Sequence, residues 1–211
     1  MATRWPQAGP VRRYERRRTR PIVITAAVLA VLVAVTWTMV LSTTTDGARS
    51  TNCSTPATGT LAGSEIDRAT LAEIAPVAPD DARFQVLNAG GQRGQANLVA
   101  AQLKDLQFGE ASSPGNDPAY PEGNLDCIGQ ARFGPSGEAA ASTLALALPC
   151  VELIRDDRPG SVVDVVIGSA FTDVAPGRAA RDVLDQLSSA GNVGGSKADP
   201  GLLAQARQGV C

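Results

Sequence analysis

A glycine-rich turn between a short apolar strand and a helical pattern is the segment of this chain that is best placed to do chemistry. The strand pattern covers residues 84–88, and the helical pattern begins after the glycines. The first N–H groups of a helix have no partner inside it and carry partial positive charge, so they attract anions. We therefore predict that Asn88, Gly91, Arg93 and Gly94 bind a carboxylate or phosphate group.

The same glycines allow two other interpretations. Ala89, Gly91 and Gly94 follow the spacing of the dinucleotide-binding fingerprint, but alanine replaces its first glycine. No Gly-Lys-Ser/Thr follows, so the segment is not a P-loop. The favoured interpretation of the glycines themselves is a tight turn from strand to helix. Anion binding is the functional hypothesis added to it, and no nucleotide cofactor is expected.

The residue types argue against catalysis. The chain contains no histidine, which excludes Ser-His-Asp and Cys-His arrangements and histidine-ligated zinc. Adjacent carboxylates occur at Asp80-Asp81 and Asp156-Asp157, each in a turn near an arginine, and we interpret them as solvated turn residues. The two lysines, Lys104 and Lys197, are interpreted as surface residues. We predict a non-enzymatic protein without a metal or a cofactor; a carboxylate-type enzyme is the alternative.

An uncharged stretch near the N-terminus predicts membrane insertion. Residues 21–41 carry no charge and follow a segment, 1–20, that holds seven arginines. As a helix this stretch would measure roughly 30 Å, the thickness of a bilayer's hydrocarbon core. Arginines stay on the cytoplasmic side, so 1–20 is predicted to be a cytoplasmic tail and 21–41 a single signal-anchor helix in the inner (plasma) membrane. The alternative is a cleaved signal peptide, whose apolar region usually covers about 7 to 15 residues.

The remaining chain is predicted to lie outside the cytoplasm. Residues 42–60 have the composition of a flexible polar linker, and 61–211 are long enough for one domain. Residues 21–211 contain 12 basic and 20 acidic residues, a net charge of −8. This charge is a poor match for nucleic acid, which we exclude as a partner.

Hydrophobic periodicity within residues 61–211 predicts an α/β (α+β) domain: a small mixed sheet with helices packed on it. The strands are predicted by β-branched and apolar runs, and the helices by apolar residues at i, i+3 and i+4. We interpret the last two strands as a hairpin because a turn-forming segment, 156–160, separates them. The predicted strands are 84–88, 126–133, 151–154 and 162–167, and the predicted helices are 64–74, 95–106, 136–148, 176–189 and 199–209.

All four cysteines follow the apolar stretch, where an oxidising compartment would allow disulfides. A strand of about seven residues and a following helix of about thirteen have similar lengths, so their far ends meet. Cys127 and Cys150 occupy those ends, and we predict that they pair. Cys53 and Cys211 would form the second disulfide.

The segment 86–108, which begins Val-Leu-Asn and continues through the glycines into an Ala/Leu helix, resembles the opening of the LytR C-terminal domain family. It departs from the family pattern at Ala89 and Gln107, where glycine is usual. The resemblance extends over about 83–170. In this family the domain often follows a LytR-CpsA-Psr catalytic domain that transfers glycopolymers to peptidoglycan, and the chain has no room for one. The resemblance therefore implies no catalytic residue.

A basic tail, one anchor and a lone domain with four cysteines are similar to actinobacterial members of this family that serve cell-envelope integrity. This resemblance implies a membrane-anchored envelope factor whose partners are wall glycopolymer or cell-envelope biosynthesis proteins. The alternative function, from a different class, is an extracytoplasmic carrier of lipid or glycolipid. A carrier needs a deep apolar cavity, whereas a docking module needs only a shallow polar or mixed face.

Overall fold

A computed structural model describes residues 20–45, 52–56, 63–191 and 198–209 of the chain. The chain divides into two units, Met1–Ala48 and Arg49–Cys211. In the first unit, helix α1 covers Arg20–Thr45. Among the described residues, no helix is both long and apolar enough to cross a membrane. The proposed anchor, 21–41, coincides with α1 but includes residues whose side chains are not described.

The predicted tail and linker fall largely outside the described residues. Of the tail 1–20, only Arg20 is described, as the first residue of α1. Of the linker 42–60, residues 42–45 continue α1 and residues 52–56 are irregular. Their predicted roles, and the boundaries between them, therefore stay predictions.

The second unit is built around a mixed β-sheet, as the sequence predicted. Its described strands are β1 (Ser64–Glu65), β2 (Arg83–Asn88), β3 (Gly109–Glu110), β4 (Gly115–Asn116), β5 (Gly129–Phe133), β6 (Glu152–Arg155) and β7 (Val163–Ile167). Their order is β1-β6-β5-β7-β2-β3, and β4 pairs with the end of β2. The central strands β7 and β2 are rich in buried apolar residues, because both faces of the sheet are covered.

Helices cover one face of the sheet. They are α2 (Arg68–Ala72), α3 (Gln95–Asp105), α4 (Glu138–Ala147, after a 3₁₀ turn at Pro135–Gly137), α5 (Arg178–Gly191) and α6 (Pro200–Ala206). The predicted helices from residue 95 onward are confirmed to within a few residues. The apolar residues at the i, i+3 and i+4 spacing, such as Val99 and Leu103 in α3 and Val183 in α5, are buried.

The predicted hairpin is wrong. Strands β6 and β7 do not pair with each other, because β5 lies between them, parallel to β6 and antiparallel to β7. The β5-α4-β6 segment is a parallel crossover unit, so β6 occupies the side of β5 away from β7. The chain then passes the end of β5, where Asp156 N–H donates to the Phe133 carbonyl. The positions of β5, β6 and β7 in the chain were predicted correctly. Their pairing was not, because it depends on β5 lying between two strands that follow it in sequence.

The first predicted helix, 64–74, is also partly wrong. Its first predicted residue, Ser64, is not helical: Ser64 and Glu65 form β1, which pairs antiparallel with Arg155 and Ile154 of β6. The helix starts later, and the Asp67 carboxylate caps it by accepting from Ala69 N–H. Pairing with the edge of the sheet satisfies backbone groups that an isolated short helix would leave to water.

Two hydrophobic clusters lie on opposite faces of the sheet. Side chains alternate along each strand, so Val165 of β7 faces the helices and Val166 faces away. The main core lies under the helices. The second, smaller cluster is covered by the loop 114–125 and contains Leu87, Tyr120 and Leu125 together with Val166.

This division explains why the predicted disulfides are wrong. Cys127 is bonded to Cys53, with 4.8 Å between the two Cα atoms. Cys127 belongs to the smaller cluster, whereas Cys150 packs against the main core on the other face. The predicted Cys127–Cys150 bond does not form, because Cys127 is bonded to Cys53. The predicted Cys53–Cys211 bond fails because Cys53 is already bonded; Cys211 itself lies outside the described residues.

Candidate functional site

A polar cavity of about 410 Å³ opens beside the glycine-rich turn. One wall is formed by the turn and the start of α3, and the other by the loop 114–123. We call this cavity the loop groove. The four residues that the sequence predicted as a binding site, Asn88, Gly91, Arg93 and Gly94, all line it. The structure therefore brings the predicted residues together, while their binding of an anion stays a prediction.

Asn88 shapes the turn rather than pointing an unused amide into the groove. Its Nδ2 donates to the Gln92 carbonyl at 2.8 Å, and its Oδ1 accepts from Gly90 N–H at 3.2 Å. The Asn88 carbonyl accepts from Asp117 N–H of the opposite loop. Asn88 thus joins both walls of the groove, and we assign it a positioning role.

Gly91 and Gly123 hold the two walls in close approach. Both have left-handed backbones, with φ of 76° and 65°, which L-residues with a side chain rarely adopt. A Cβ atom on Gly123 would lie 2.5 Å from the Gly91 Cα. No side chain fits between the walls here, so the glycines set the width of the groove.

Substituting Gly123 by alanine is therefore expected to lower the free energy of unfolding by about 1–3 kcal/mol, through steric overlap and backbone strain. Urea unfolding monitored by circular dichroism measures this change. Gly160→Ala is the matched control, because a Cβ at Gly160 meets no atom within 4 Å, and its effect should stay within about 0.5 kcal/mol. Equal effects of the two substitutions would contradict the proposed close approach.

Arg93 is the cation of the groove. It is exposed and forms no ion pair with any residue that the structure describes. It precedes Gly94, which occupies the N-cap of α3 in a left-handed conformation and supplies no side chain to cap the helix. The guanidinium and the start of the eleven-residue α3 are thus both available to a carboxylate or phosphate.

The remaining polar lining is neutral or acidic. The exposed amides of Asn97 and Asn116 can both donate and accept hydrogen bonds, as sugar hydroxyls and acetamido groups require. Glu122 adds one exposed carboxylate to the opposite wall. A ligand with a single anionic group among many hydroxyl and amide groups fits this lining better than a dense polyanion.

A buried ion pair supports the loop wall from beneath. Arg132 Nη2 of β5 lies 2.8 Å from Asp117 Oδ2, and both side chains are less than a tenth exposed. The other Asp117 oxygen accepts from Ala119 N–H at 3.0 Å. The central carbon of the Arg132 guanidinium lies 5.8 Å from the centroid of the Tyr120 ring. The Tyr120 hydroxyl donates to the Ser54 carbonyl. The loop is therefore anchored by charge, ring and backbone contacts together.

The network continues across the sheet. Gln130 Oε1 accepts from Arg132 Nε and Nη2, and Gln130 Nε2 donates to the Glu152 carboxylate at 2.7 Å. Burial raises the pKa of the Glu152 carboxyl, the hydrogen bond from Gln130 opposes the rise, and the neighbouring Glu65 carboxylate adds to it. Burial likewise raises the pKa of the Tyr120 hydroxyl, against the attraction of Arg132.

The raised pKa of Glu152 predicts a pH-dependent effect of Glu152→Gln. The fold disfavours the charged carboxylate, so wild-type stability from this group is present at low pH and is lost as pH rises through the folded-state pKa. Glu152→Gln should stabilise the protein at about pH 7 by up to about 1 kcal/mol, and the gain should vanish near pH 4. Urea midpoints at both pH values test this, with exposed Glu73→Gln as the control. A gain that persists at pH 4 would contradict it.

Sequence reasoning missed the residues that hold the loop wall. Asp117 lies outside the predicted strands and helices, and Arg132 lies within the predicted strand 126–133. The available signal was Arg132 itself: a charge inside a run that becomes a central strand must find a buried partner. Which of the acidic residues supplies it depends on the path of the loop, and the sequence does not specify that path.

A second cavity, of about 280 Å³, lies among α2, α4 and the C-terminal residues. Its wall includes the apolar side chains of Leu71, Leu146 and Leu153 and the guanidinium groups of Arg68 and Arg207. Its volume is below the 300–1,000 Å³ that is usual for sites enclosing a small organic ligand. It is therefore a poor match for the deep apolar cavity that a lipid carrier requires.

Comparisons with known proteins place this architecture in a family. Residues 81–171 match the family model described as LytR cell envelope-related transcriptional attenuator. The chain is also 35% identical to the cell envelope integrity protein Cei of Mycobacterium tuberculosis, over 206 residues that cover 95% of this chain and 93% of that protein. The chain belongs to the LytR C-terminal domain family. The resemblance inferred from the turn and its following helix is thus confirmed.

A solved structure supports the LytR C-terminal fold. It is the crystal structure of the soluble domain of a conserved hypothetical secreted protein from Mycobacterium marinum, with 37% sequence identity and a TM-score of 0.64. The match covers 71% of this chain and 98% of that one. The LytR C-terminal region 81–171 includes both walls of the loop groove and the buried Asp117–Arg132 pair, whereas α5 and α6 follow it.

Proposed function

We propose that this LytR C-terminal domain protein is a non-catalytic, membrane-anchored factor in cell-envelope integrity, and that its loop groove binds a wall glycopolymer or a biosynthetic partner. The observation that carries the proposal is the convergence of Arg93, the uncapped start of α3 and exposed amides on one polar cavity. The envelope role is supported by a relative, 35% identical, that is named a cell envelope integrity protein.

We propose further that residues 1–20 lie in the cytoplasm, that 21–41 span the inner membrane and that 61–211 lie outside. The charge asymmetry around the uncharged stretch supports this topology. The disulfide between Cys53 and Cys127 is consistent with an oxidising compartment. Protease treatment of intact spheroplasts should degrade the domain and leave the tail protected. Full-length protein that resists the protease, or mature protein released into the medium, would contradict the topology.

Arg93→Ala is expected to weaken binding of a muropeptide or polyprenyl-phosphate glycan by about 10-fold or more, because a charge-assisted hydrogen bond contributes about 1.5–3 kcal/mol. Isothermal titration calorimetry with the purified protein measures the effect. Arg178→Ala is the matched control, since Arg178 is also exposed but lies on α5, away from the groove. No heat with wild-type protein, or equal losses in both variants, would refute binding at the groove.

Crosslinking distinguishes three possible ligands of the loop groove: a wall glycopolymer, a biosynthetic protein partner, and the lipid that a carrier would bind. A photoreactive amino acid at Asn116 places the probe on the exposed wall of the groove. Capture of glycan or of an envelope biosynthesis protein from living cells supports the proposal. Capture of lipid would favour an extracytoplasmic lipid or glycolipid carrier instead.

A further inference from the structure

The loop groove carries one charged side chain of each sign, on opposite walls. Arg93 belongs to the turn wall and Glu122 to the loop wall, and both residues are exposed. Neither forms an ion pair with any residue that the structure describes, so they do not pair with each other. Two opposite charges therefore line the same cavity without neutralising one another.

The contact between the two walls keeps these charges near each other. Glu122 directly precedes Gly123, on which a Cβ atom would lie 2.5 Å from the Gly91 Cα, and Arg93 follows Gly91 by two residues. Because consecutive Cα atoms are about 3.8 Å apart, the Arg93 and Glu122 Cα atoms lie within about 15 Å of each other. A ligand of a few amino-acid or sugar units can therefore contact both side chains.

The size of the groove favours such a short ligand segment. Its volume of about 410 Å³ falls within the range of about 300–1,000 Å³ that is usual for sites of small organic ligands. A stable interface with a folded protein instead buries about 800 Å² on each partner. The groove is therefore better matched to a short segment of a wall polymer than to the surface of a folded partner.

The charge of the chain argues against a purely anionic segment. Residues 21–211 carry a net charge of −8, which repels polyanions. Inside the groove, a ligand rich in phosphate would pair with Arg93 but would bring negative charge towards Glu122. A ligand with one carboxylate and one ammonium group avoids both penalties, because its net charge is zero and each of its charges meets an opposite one.

The neutral part of the lining suits a peptide backbone between those two charges. The exposed amides of Asn97 and Asn116 can donate to a peptide carbonyl and accept from a peptide N–H. Pro114 and Pro121 add apolar surface, which small aliphatic side chains can contact.

We propose that the loop groove binds a zwitterionic peptide, in which a free carboxylate pairs with Arg93 and a free ammonium group pairs with Glu122. In a cell wall this chemistry belongs to a peptide stem that contains a diamino acid with one unlinked amino group. It does not belong to a phosphate-linked glycan. The inference rests on the proposed function, because it names the ligand class of the same groove.

Calorimetric titration with two forms of one ligand tests the ammonium contact. The purified full-length protein is titrated with a muropeptide whose stem carries a free amino group and a free carboxylate, and with the same muropeptide after acetylation of that amino group. Acetylation removes the positive charge and keeps the carboxylate. We expect it to raise Kd about 5-fold, as the loss of an exposed ion pair predicts. An unchanged or lower Kd overturns the inference.

Glu122→Gln tests the same contact from the side of the protein. It should raise the Kd of the free-amine muropeptide by a similar factor and leave that of the acetylated form unchanged, because only the first form has a charge for Glu122 to bind. Glu73→Gln is the matched control, since Glu73 is also exposed but does not line the groove. Equal effects of Glu122→Gln on the two muropeptides, or of the two variants on the free-amine form, would contradict the contact.

The same titrations distinguish failure of this inference from failure of the proposed function. If both muropeptides bind equally and Arg93→Ala weakens both, the groove binds a wall ligand through its anionic group alone, and only the zwitterionic class is overturned. Tighter binding of a polyprenyl-phosphate glycan than of the free-amine muropeptide has the same meaning. Absence of heat with all three ligands overturns the inference together with glycopolymer binding at the groove.

Discussion

Arg132→Met is expected to lower the free energy of unfolding by about 3–5 kcal/mol. The substitution leaves the Asp117 carboxylate buried without the cation that lies 2.8 Å from it. It also removes the guanidinium from beneath the Tyr120 ring and two hydrogen bonds to Gln130. A buried charge without a neutralising partner costs desolvation free energy. The loss in the free energy of unfolding should therefore be larger than for any substitution of an exposed residue.

Chemical denaturation of the variants distinguishes the net contribution of the ion pair from the cost of leaving one buried charge unpaired. The double variant Asp117→Leu/Arg132→Met should recover much of the lost stability, because it removes both charges and leaves apolar groups. Arg155→Met is the control, since the Arg155–Glu138 pair is largely exposed and should contribute at most about 1 kcal/mol. A double variant no more stable than Arg132→Met alone would show that the coupling between the two charges is weak.

The same variants connect stability to the loop groove. Asp117 N–H donates to the Asn88 carbonyl, so the residue that holds the ion pair also joins the loop wall to the turn wall. Where Arg132→Met protein remains folded, its ligand affinity should fall although Arg132 does not line the cavity. Such a loss would identify Arg132 as a positioning residue for the groove.

Cys127→Ala is expected to lower the free energy of unfolding by about 4 kcal/mol. The Cys53–Cys127 bond joins residues 74 positions apart, and closing so long a loop restricts the unfolded chain strongly. The bond also holds the 52–56 segment over the smaller cluster, where Ser54 N–H donates to Asp126 and the Ser54 carbonyl accepts from Tyr120. Loss of the bond should therefore loosen this segment first.

Thermal unfolding and peptide mapping measure these effects. Cys53→Ala should cost nearly as much as Cys127→Ala, and the double substitution little more than either, because one bond is lost in every case. The fully buried Cys127 adds a small cavity term that Cys53 lacks. A non-reducing map that links Cys53 to a cysteine other than Cys127 would contradict the observed pairing.

Most of the secondary structure could be predicted from local patterns in the sequence. The strand 84–88, the glycines and the helix from Gln95 were predicted because apolar periodicity and left-handed turn residues act within a few positions of each other. The last helix, predicted over 199–209, depends on equally local signals, since Asp199 caps α6 and Pro200 lies in its first turn. The family resemblance rested on this same stretch, and the four predicted site residues converge because they lie on one turn.

The sequence by itself thus determined which segments form helices and strands, the glycine-rich turn and the family. Only the tertiary structure decided that β5 separates β6 from β7, that Cys53 pairs with Cys127, and that Asp117 meets Arg132. These contacts join residues far apart in the chain. Each contact depends on which face of the sheet a side chain occupies and on the path of a long loop. Local propensities determine neither of these, because they reflect neighbours in sequence and not neighbours in space.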